Sequence, residues 1–172
     1  MKSLLIATIA LITLSFNNAS DVTVEDLGDG YMRVTAPSYT VEVPQGWEVG
    51  DVTSYGSRDF EPQDGKGDFN VMTAPPSNAS WEDTYSTALY FILRRNPQDK
   101  ASAYELTKRD DGVEAATFVV TNPEGFAYRR FVMLKHPDKG LMALSVRIPS
   151  EDAEEQWEQA FARLVESATF AG

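Results

Sequence analysis

The pattern of apolar and polar positions predicts a group of strands in the first half of the chain. Residues 39–43 alternate strictly, with every second side chain apolar, which is typical of a half-buried strand. A matching strand is predicted at residues 31–34, with Pro37 and Ser38 in the turn between the two. Glycines and acids make residues 61–68 a predicted loop, and residues 69–72 form the next predicted strand.

Two segments have the periodicity of amphipathic helices. The first begins at Ser80, a good N-cap that Asp83 can support, and ends at Pro97. Its apolar face consists of Tyr85, Ala88, Leu89, Ile92 and Leu93. The second helix lies within residues 150–170, and its apolar face consists of Ala153, Trp157, Ala160, Phe161, Leu164 and Val165.

Four strands are predicted between the two helices, at residues 104–108, 113–121, 126–135 and 141–148. Regular turn signals separate them, which indicates an antiparallel meander. Each helix has a single apolar stripe and must therefore lie on a sheet. The pattern thus predicts an α+β fold, with the helices either on one face of the sheet or on opposite faces.

The N-terminal segment has the three parts of a secretory signal peptide. One cation, Lys2, precedes an apolar run at residues 4–16, and small polar residues follow. We expect cleavage after Ala19 or Ser20. The run is shorter than the about 20 residues of a membrane-spanning helix, although an uncleaved anchor or a buried helix is an alternative. No integral membrane segment is expected after cleavage.

Composition narrows the function classes. The net charge is −11, or −12 without residues 1–20, and a field of that sign repels nucleic acid and anionic lipid. The chain has no cysteine, which excludes disulfides and thiolate chemistry. A cysteine-free exported chain fits a bacterial protein of the periplasm or the extracellular space. We expect a signal peptide at residues 1–20, an acidic lead-in at 21–30 and one domain at 31–172.

Candidate catalytic groups are sparse. The one histidine, His136, stands two residues before Asp138 in a predicted hairpin turn, and no serine has the surroundings of a nucleophile elbow. We interpret His136 as a turn residue. A hydrolase built from two dispersed carboxylates stays an alternative, because such pairs are distant in sequence.

Two further candidates concern binding. The acidic loop at residues 59–68 offers four carboxylates for calcium, although their spacing is not that of an EF-hand. These are Asp59, Glu61, Asp64 and Asp68. No other cofactor is expected. Trp81, at the start of the first helix, is a candidate platform for a ligand or partner.

The order of elements and three segments resemble the PsbP-like superfamily. The segments are YTVEVPQGW at residues 39–47, the helix at 80–97, and the closing helix at 150–170 with its VESATF tail. The resemblance spans residues 31–170. It implies a central antiparallel sheet, of about six strands here, with helices packed on both faces. It also implies a non-catalytic binding or assembly role, which for this chain means acting on a protein partner in the cell envelope.

Overall fold

The computed structural model describes residues 22–53 and 56–171, so the predicted signal peptide lies outside the described residues. The strands are β1 (Thr23–Asp26), β2 (Tyr31–Ala36), β3 (Tyr39–Pro44), β4 (Glu48–Val49), β5 (Ser57–Glu61), β6 (Asp68–Ala74), β7 (Lys100–Ala101), β8 (Glu105–Lys108), β9 (Glu114–Thr121), β10 (Arg129–His136), β11 (Gly140–Arg147) and β12 (Thr169–Phe170). The helices are α1 (Trp81–Arg95) and α2 (Glu154–Ser167), and one 3-10 turn at Glu151–Ala153 precedes α2.

Two antiparallel sheets carry the fold. The small sheet has four strands in the order β1-β2-β3-β12. The large sheet has eight, in the order β4-β5-β6-β11-β10-β9-β7, with β8 also paired to β9. The α+β class and the meander of β8 to β11 are confirmed. The expected count of about six strands in the central sheet is wrong, since the large sheet has eight. The additional strands include β4 and β7, which have two residues each and are too short to show an alternation of apolar and polar residues.

The two helices lie on opposite faces of the large sheet. Successive residues of β9 point to different faces, so that Ala115 joins one apolar cluster whereas Ala116 and Phe118 join another. The first cluster fills the space between the large sheet, the small sheet and α2. The second lies between the large sheet and α1. The molecule therefore has three layers, with the large sheet in the middle.

Aromatic side chains form the centre of the first cluster. The ring of Trp47 lies 4.8 Å from that of Phe69 and 5.1 Å from that of Trp157, between centroids. Phe161 of α2 also contacts Phe69, at 6.0 Å. Gly67 passes beneath Trp157, where a Cβ atom would approach the indole ring to 2.5 Å. Such pairs add to the free energy gained by burial, so this cluster fixes α2 against the sheets.

Residues 21–30, expected to be a lead-in, contain a strand. β1 pairs with β2 in a register that sets Thr23 opposite Thr35 and Asp26 opposite Met32. All four residues of β1 are exposed, so no alternation of burial marks the strand in the sequence. The predicted loop at residues 61–68 is shorter in the structure, because Glu61 belongs to β5 and Asp68 to β6, so only residues 62–67 connect the two strands.

The helix ends follow from local hydrogen bonds. Ser80 Oγ accepts a hydrogen bond from the backbone N of Asp83 at 3.1 Å, as an N-cap should. At the other helix, Arg109 Nη1 donates to the carbonyl oxygens of Val165 and Ala168, at 3.3 and 3.1 Å. The backbone N of Ala168 also donates to the Val165 carbonyl at 3.3 Å, so Arg109 and the chain itself together cap the end of α2.

Across residues 22–53 and 56–171, neither helix is both long enough and apolar enough to cross a bilayer.

Candidate functional site

The four carboxylates predicted to bind calcium have different surroundings. Asp59 Oδ1 accepts a hydrogen bond from Asn70 Nδ2 at 2.6 Å. Asp64 Oδ1 accepts one from the backbone N of Lys66 at 3.1 Å, within the turn. Asp68 is buried and forms an ion pair with Arg147 at 2.5 Å, whereas Glu61 is exposed at the end of β5.

The structure does not gather these carboxylates into one cluster. Within the described part of the chain, no three side chains of histidine, aspartate or glutamate come close enough to hold a metal ion. A calcium ion prefers six to eight oxygen ligands, which one loop carboxylate cannot supply alone. Calcium binding by this loop stays a prediction of the sequence.

Trp81 stands at the first position of α1, partly buried against the second apolar cluster. Its Nε1 donates a hydrogen bond to Glu114 Oε2 at 2.9 Å, and Lys135 Nζ lies 5.5 Å from the ring centroid. These contacts attach the start of α1 to β9 and β10. The role of Trp81 as a ligand platform stays a prediction.

His136 lies at the end of β10, where the chain turns into β11. Its Nδ1 accepts hydrogen bonds from the backbone N of Asp138 and of Lys139, at 3.1 and 3.2 Å. The side chain therefore organises its own turn, in agreement with its interpretation as a turn residue.

Carboxylates and arginines alternate where α2 crosses the small sheet. Glu42 of β3 accepts hydrogen bonds from Arg33 at 2.9 Å and from Arg163 at 3.0 Å, and Arg163 also pairs with Asp29 at 2.7 Å. The hydrogen bond from Arg163 lowers the pKa of Asp29. Burial raises the pKa of Glu42, but the two arginines outweigh it, so that this pKa is lowered as well.

A lowered pKa does not suit a general acid. A carboxyl group that donates a proton near neutral pH needs its pKa raised, as in glycosidases. Asp29 and Glu42 are shifted in the opposite direction, and both are held by guanidinium groups that join α2 to the small sheet. Their geometry is that of a structural network.

The outer face of α1 carries an exposed aromatic pair. Tyr90 is 62% exposed and Phe91 59%, and their rings meet edge to face with centroids 5.4 Å apart. Arg94 and Arg95 follow one turn later and are exposed as well. We call Tyr90, Phe91, Arg94 and Arg95 the α1 surface.

Helical geometry explains why these side chains face outwards. The inner stripe of α1 packs on the large sheet through Tyr85, Ala88, Leu89 and Ile92. Residues turn by about 100° each along a helix, so that Tyr90 lies roughly half a turn around from Trp81. The sequence prediction missed this surface. Its signal is two large aromatic side chains that fall outside the apolar stripe of an amphipathic helix.

The α1 surface also carries positive charge. Arg33, Arg109, Arg130, Arg147 and Arg163 all form ion pairs. Neither Arg94 nor Arg95 has a carboxylate within 4.0 Å among the residues that the structure describes. The α1 surface therefore combines exposed aromatic area with two uncompensated cations.

Comparison with solved structures assigns the architecture to the PsbP-like fold. One similar structure is the solution structure of cyanobacterial PsbP (CyanoP) from Synechocystis sp. PCC 6803, with a TM-score of 0.56 and 18% identity over 92% of this chain and 99% of that one. Another is the Ran-binding protein Mog1p of Saccharomyces cerevisiae, with a TM-score of 0.52 and 12% identity over 87% and 95%.

At these identities the likeness concerns the fold alone. No family model matches the chain, and no curated protein matches it. The resemblance found in the sequence is thus confirmed for its architecture, namely antiparallel sheets with a helix on either side of the larger one.

Proposed function

We propose that this protein is an exported, non-catalytic domain that binds a protein partner in the cell envelope through the α1 surface. The observation that carries the proposal is the exposure of Tyr90 and Phe91 on a helix whose opposite face already packs on the sheet. Contiguous apolar patches on a protein surface often mark binding sites, which favours a role for this adjacent pair.

The energetics favour a contact of moderate strength. The two rings together expose on the order of 250 Å² of mostly apolar surface, since each has 150–250 Å² to bury. Covering that area contributes about 6 kcal/mol before the cost of association. Tyrosine and arginine are also enriched among the residues that dominate protein interfaces.

Three further observations support the proposal. The segment at residues 1–20 has the pattern of a signal peptide. The pKa values of Asp29 and Glu42 are shifted away from those of a general acid. One structural neighbour, Mog1p, is itself a Ran-binding protein, so the fold supports protein binding in at least that case.

Site-specific photo-crosslinking tests the contact. A photoreactive phenylalanine analogue is placed at Phe91 of the full chain in its own host, and in a control at Val24, which is 44% exposed on β1. We expect a discrete product in the envelope fraction from position 91 and none from position 24. Equal products from both positions, or none from position 91, would contradict the proposal.

The partner identified in the crosslinked product is then produced separately, and its binding to the purified protein is measured by titration. Tyr90→Ala should weaken binding by about tenfold, as loss of an aromatic anchor does, whereas Val24→Ala should leave it unchanged.

N-terminal sequencing of the protein from the envelope tests export. It should begin at residue 20 or 21, and an intact N-terminus would argue against cleavage.

A further inference from the structure

We infer that the α1 surface selects an acidic partner segment, one in which carboxylates flank an apolar side chain. The inference rests on the proposed function and adds the chemistry of the partner. It starts from the spacing of the α1 surface, where Arg94 follows Tyr90 by four residues and Arg95 follows Phe91 by four. Residues four apart on a helix lie on the same side of it, so each arginine follows an exposed aromatic residue by one turn.

Within the described residues, neither arginine has a carboxylate partner, although the protein is rich in carboxylates. The chain has 26 aspartates and glutamates against 15 lysines and arginines. On the other side of the large sheet, single arginines pair with two carboxylates each. Arg130 pairs with both Glu154 and Glu158, and Arg163 pairs with both Asp29 and Glu42. The α1 surface is therefore a local cationic region on a strongly acidic molecule.

The acid nearest in sequence is engaged elsewhere. Asp99 Oδ2 accepts a hydrogen bond from the hydroxyl of Tyr128 at 2.6 Å, and that hydroxyl also accepts one from Asn96, the C-cap of α1, at 3.4 Å. Arg129, which follows Tyr128 in the sequence, has its guanidinium 5.5 Å from the centroid of the Phe131 ring. It too has no carboxylate within 4.0 Å among the described residues. Arg94 and Arg95 at the end of α1 thus have no ion pair with any carboxylate of the described residues.

The helix dipole accounts for part of this arrangement. A cation in the last turn of a helix gains about 0.3–1 kcal/mol from the dipole, which one arginine can provide. It does not require that two arginines each follow an exposed aromatic residue by one turn. A guanidinium also matches a carboxylate in planar, two-pronged geometry, which makes arginine suited to acidic protein segments.

A protein segment fits this surface better than a lipid surface does. Helices that lie on anionic membranes have cations along the whole polar face, whereas the first turn of α1 has Glu82 and Asp83. The net charge of −11 would also repel an anionic bilayer at long range, before any side chain touches the lipid.

Peptide selection tests the partner chemistry. Random peptides displayed on phage are selected on the purified protein, on the Arg94→Glu/Arg95→Glu variant and on the Tyr90→Ser/Phe91→Ser variant. The Lys66→Glu/Lys139→Glu variant is a control with the same change of charge, made at two exposed lysines that form no ion pair with any described residue. Equal melting temperatures verify that the folds are intact.

We expect the protein and its lysine control to enrich peptides with Asp or Glu beside an apolar residue, and the arginine variant to lose this bias. A selected peptide should bind the arginine variant at least about tenfold more weakly, and its affinity should fall as salt rises. Enrichment without acidic bias, or a bias that survives in the arginine variant, would overturn the inference.

The remaining outcomes separate this inference from the proposed function. Selection that depends on Tyr90 and Phe91 but shows no acidic bias leaves the proposed function standing and removes the inference. No enrichment on any variant counts against both. Arginine-dependent sedimentation with phosphatidylglycerol vesicles would instead assign the α1 surface to a membrane. Arginine-dependent self-association would assign it to a second copy of the chain.

Discussion

Gly140 is the first residue of β11 and lies against the backbone at the end of β6. Its φ is +101°, and a Cβ atom there would lie 2.1 Å from the carbonyl oxygen of Ala74. Gly125 has a similar φ of +96°, but a Cβ atom there would meet nothing within 4 Å. The two positions therefore separate the cost of backbone conformation from the cost of a steric clash.

We predict that Gly140→Ala lowers the free energy of unfolding by at least about 3 kcal/mol, and Gly125→Ala by only about 1–2 kcal/mol. The conformational cost is common to both, and the clash with Ala74 is added at position 140. Urea unfolding of the two variants measures the difference. Equal losses would show that the backbone at Ala74 yields without cost.

Glu42 is the residue on which the ionic network at α2 depends, because two arginines donate to it. Its pKa is lowered on folding, so its ionised form stabilises the protein above its ordinary pKa, and this contribution is lost as the pH falls through the lowered value. The arginine partners have raised pKa values, so they stay charged throughout the acid range.

Glu42→Gln should therefore destabilise the protein at pH 7, and the difference from the unaltered protein should shrink as the pH falls below about 4. Urea unfolding at a series of pH values between 7 and 2.5 follows the difference. Glu124→Gln, at an exposed turn, should show no such trend. A constant difference at every pH would mean that Glu42 acts through packing and not through its charge.

At the scale of elements, the two helices differ in how they are held. α2 buries Trp157, Ala160, Phe161 and Leu164 between two sheets. α1 lies on one sheet face, and none of its residues is fully buried. One helix is therefore part of the core, whereas the other covers it and keeps a free outer face.

Matched phenylalanines on the two helices test this contrast. Phe161→Ala should cost about 3–5 kcal/mol of unfolding free energy, because a 6% exposed ring is removed from the aromatic cluster. Phe91→Ala should change it by less than about 0.5 kcal/mol, because the ring is mostly in water. Thermal and urea unfolding report both values. A large loss for Phe91→Ala would show that the ring supports the fold.

The elements with internal periodicity could be predicted from the sequence, and those formed by pairing could not. The inner stripe of α1 and the strands from β8 to β11 repeat apolar residues at helical or strand spacing. In contrast, β4, β7 and β12 have two residues each, too few to show any period. Their existence depends on partners such as Thr40 of β3, which pairs with Thr169 from the far end of the chain.

The sequence pattern indicates less about the candidate site than about the fold. It singles out Trp81 as the aromatic residue at a helix start, and the structure places its ring against the second apolar cluster with Nε1 bound to Glu114, whereas its role as a platform stays a prediction. Tyr90 and Phe91 are neighbours in sequence, and only a helix of known orientation shows that both rings point away from the sheet. Exposure is a property of the assembled layers, which a local pattern does not contain.

At the scale of the whole molecule, the three layers should open with different ease. α1 shares only the second apolar cluster, whereas the first cluster joins the small sheet, the large sheet and α2. We predict that amide hydrogens of α1 exchange at least about tenfold faster than those of α2, measured by native-state hydrogen exchange. Equal protection of both helices would indicate a single opening unit.

The small sheet joins strands from opposite ends of the described chain. The residues of β2 and β3 are synthesised early, whereas β12 and Ser167 come near the end of the described chain. The Oγ of Ser167 accepts a hydrogen bond from the backbone N of Glu42 at 2.8 Å. A growing chain cannot finish this sheet until residues 169–170 have emerged, and such long loop closures are slow. The topology therefore predicts that the small sheet closes late in folding, once strands from both ends of the described chain are available to pair.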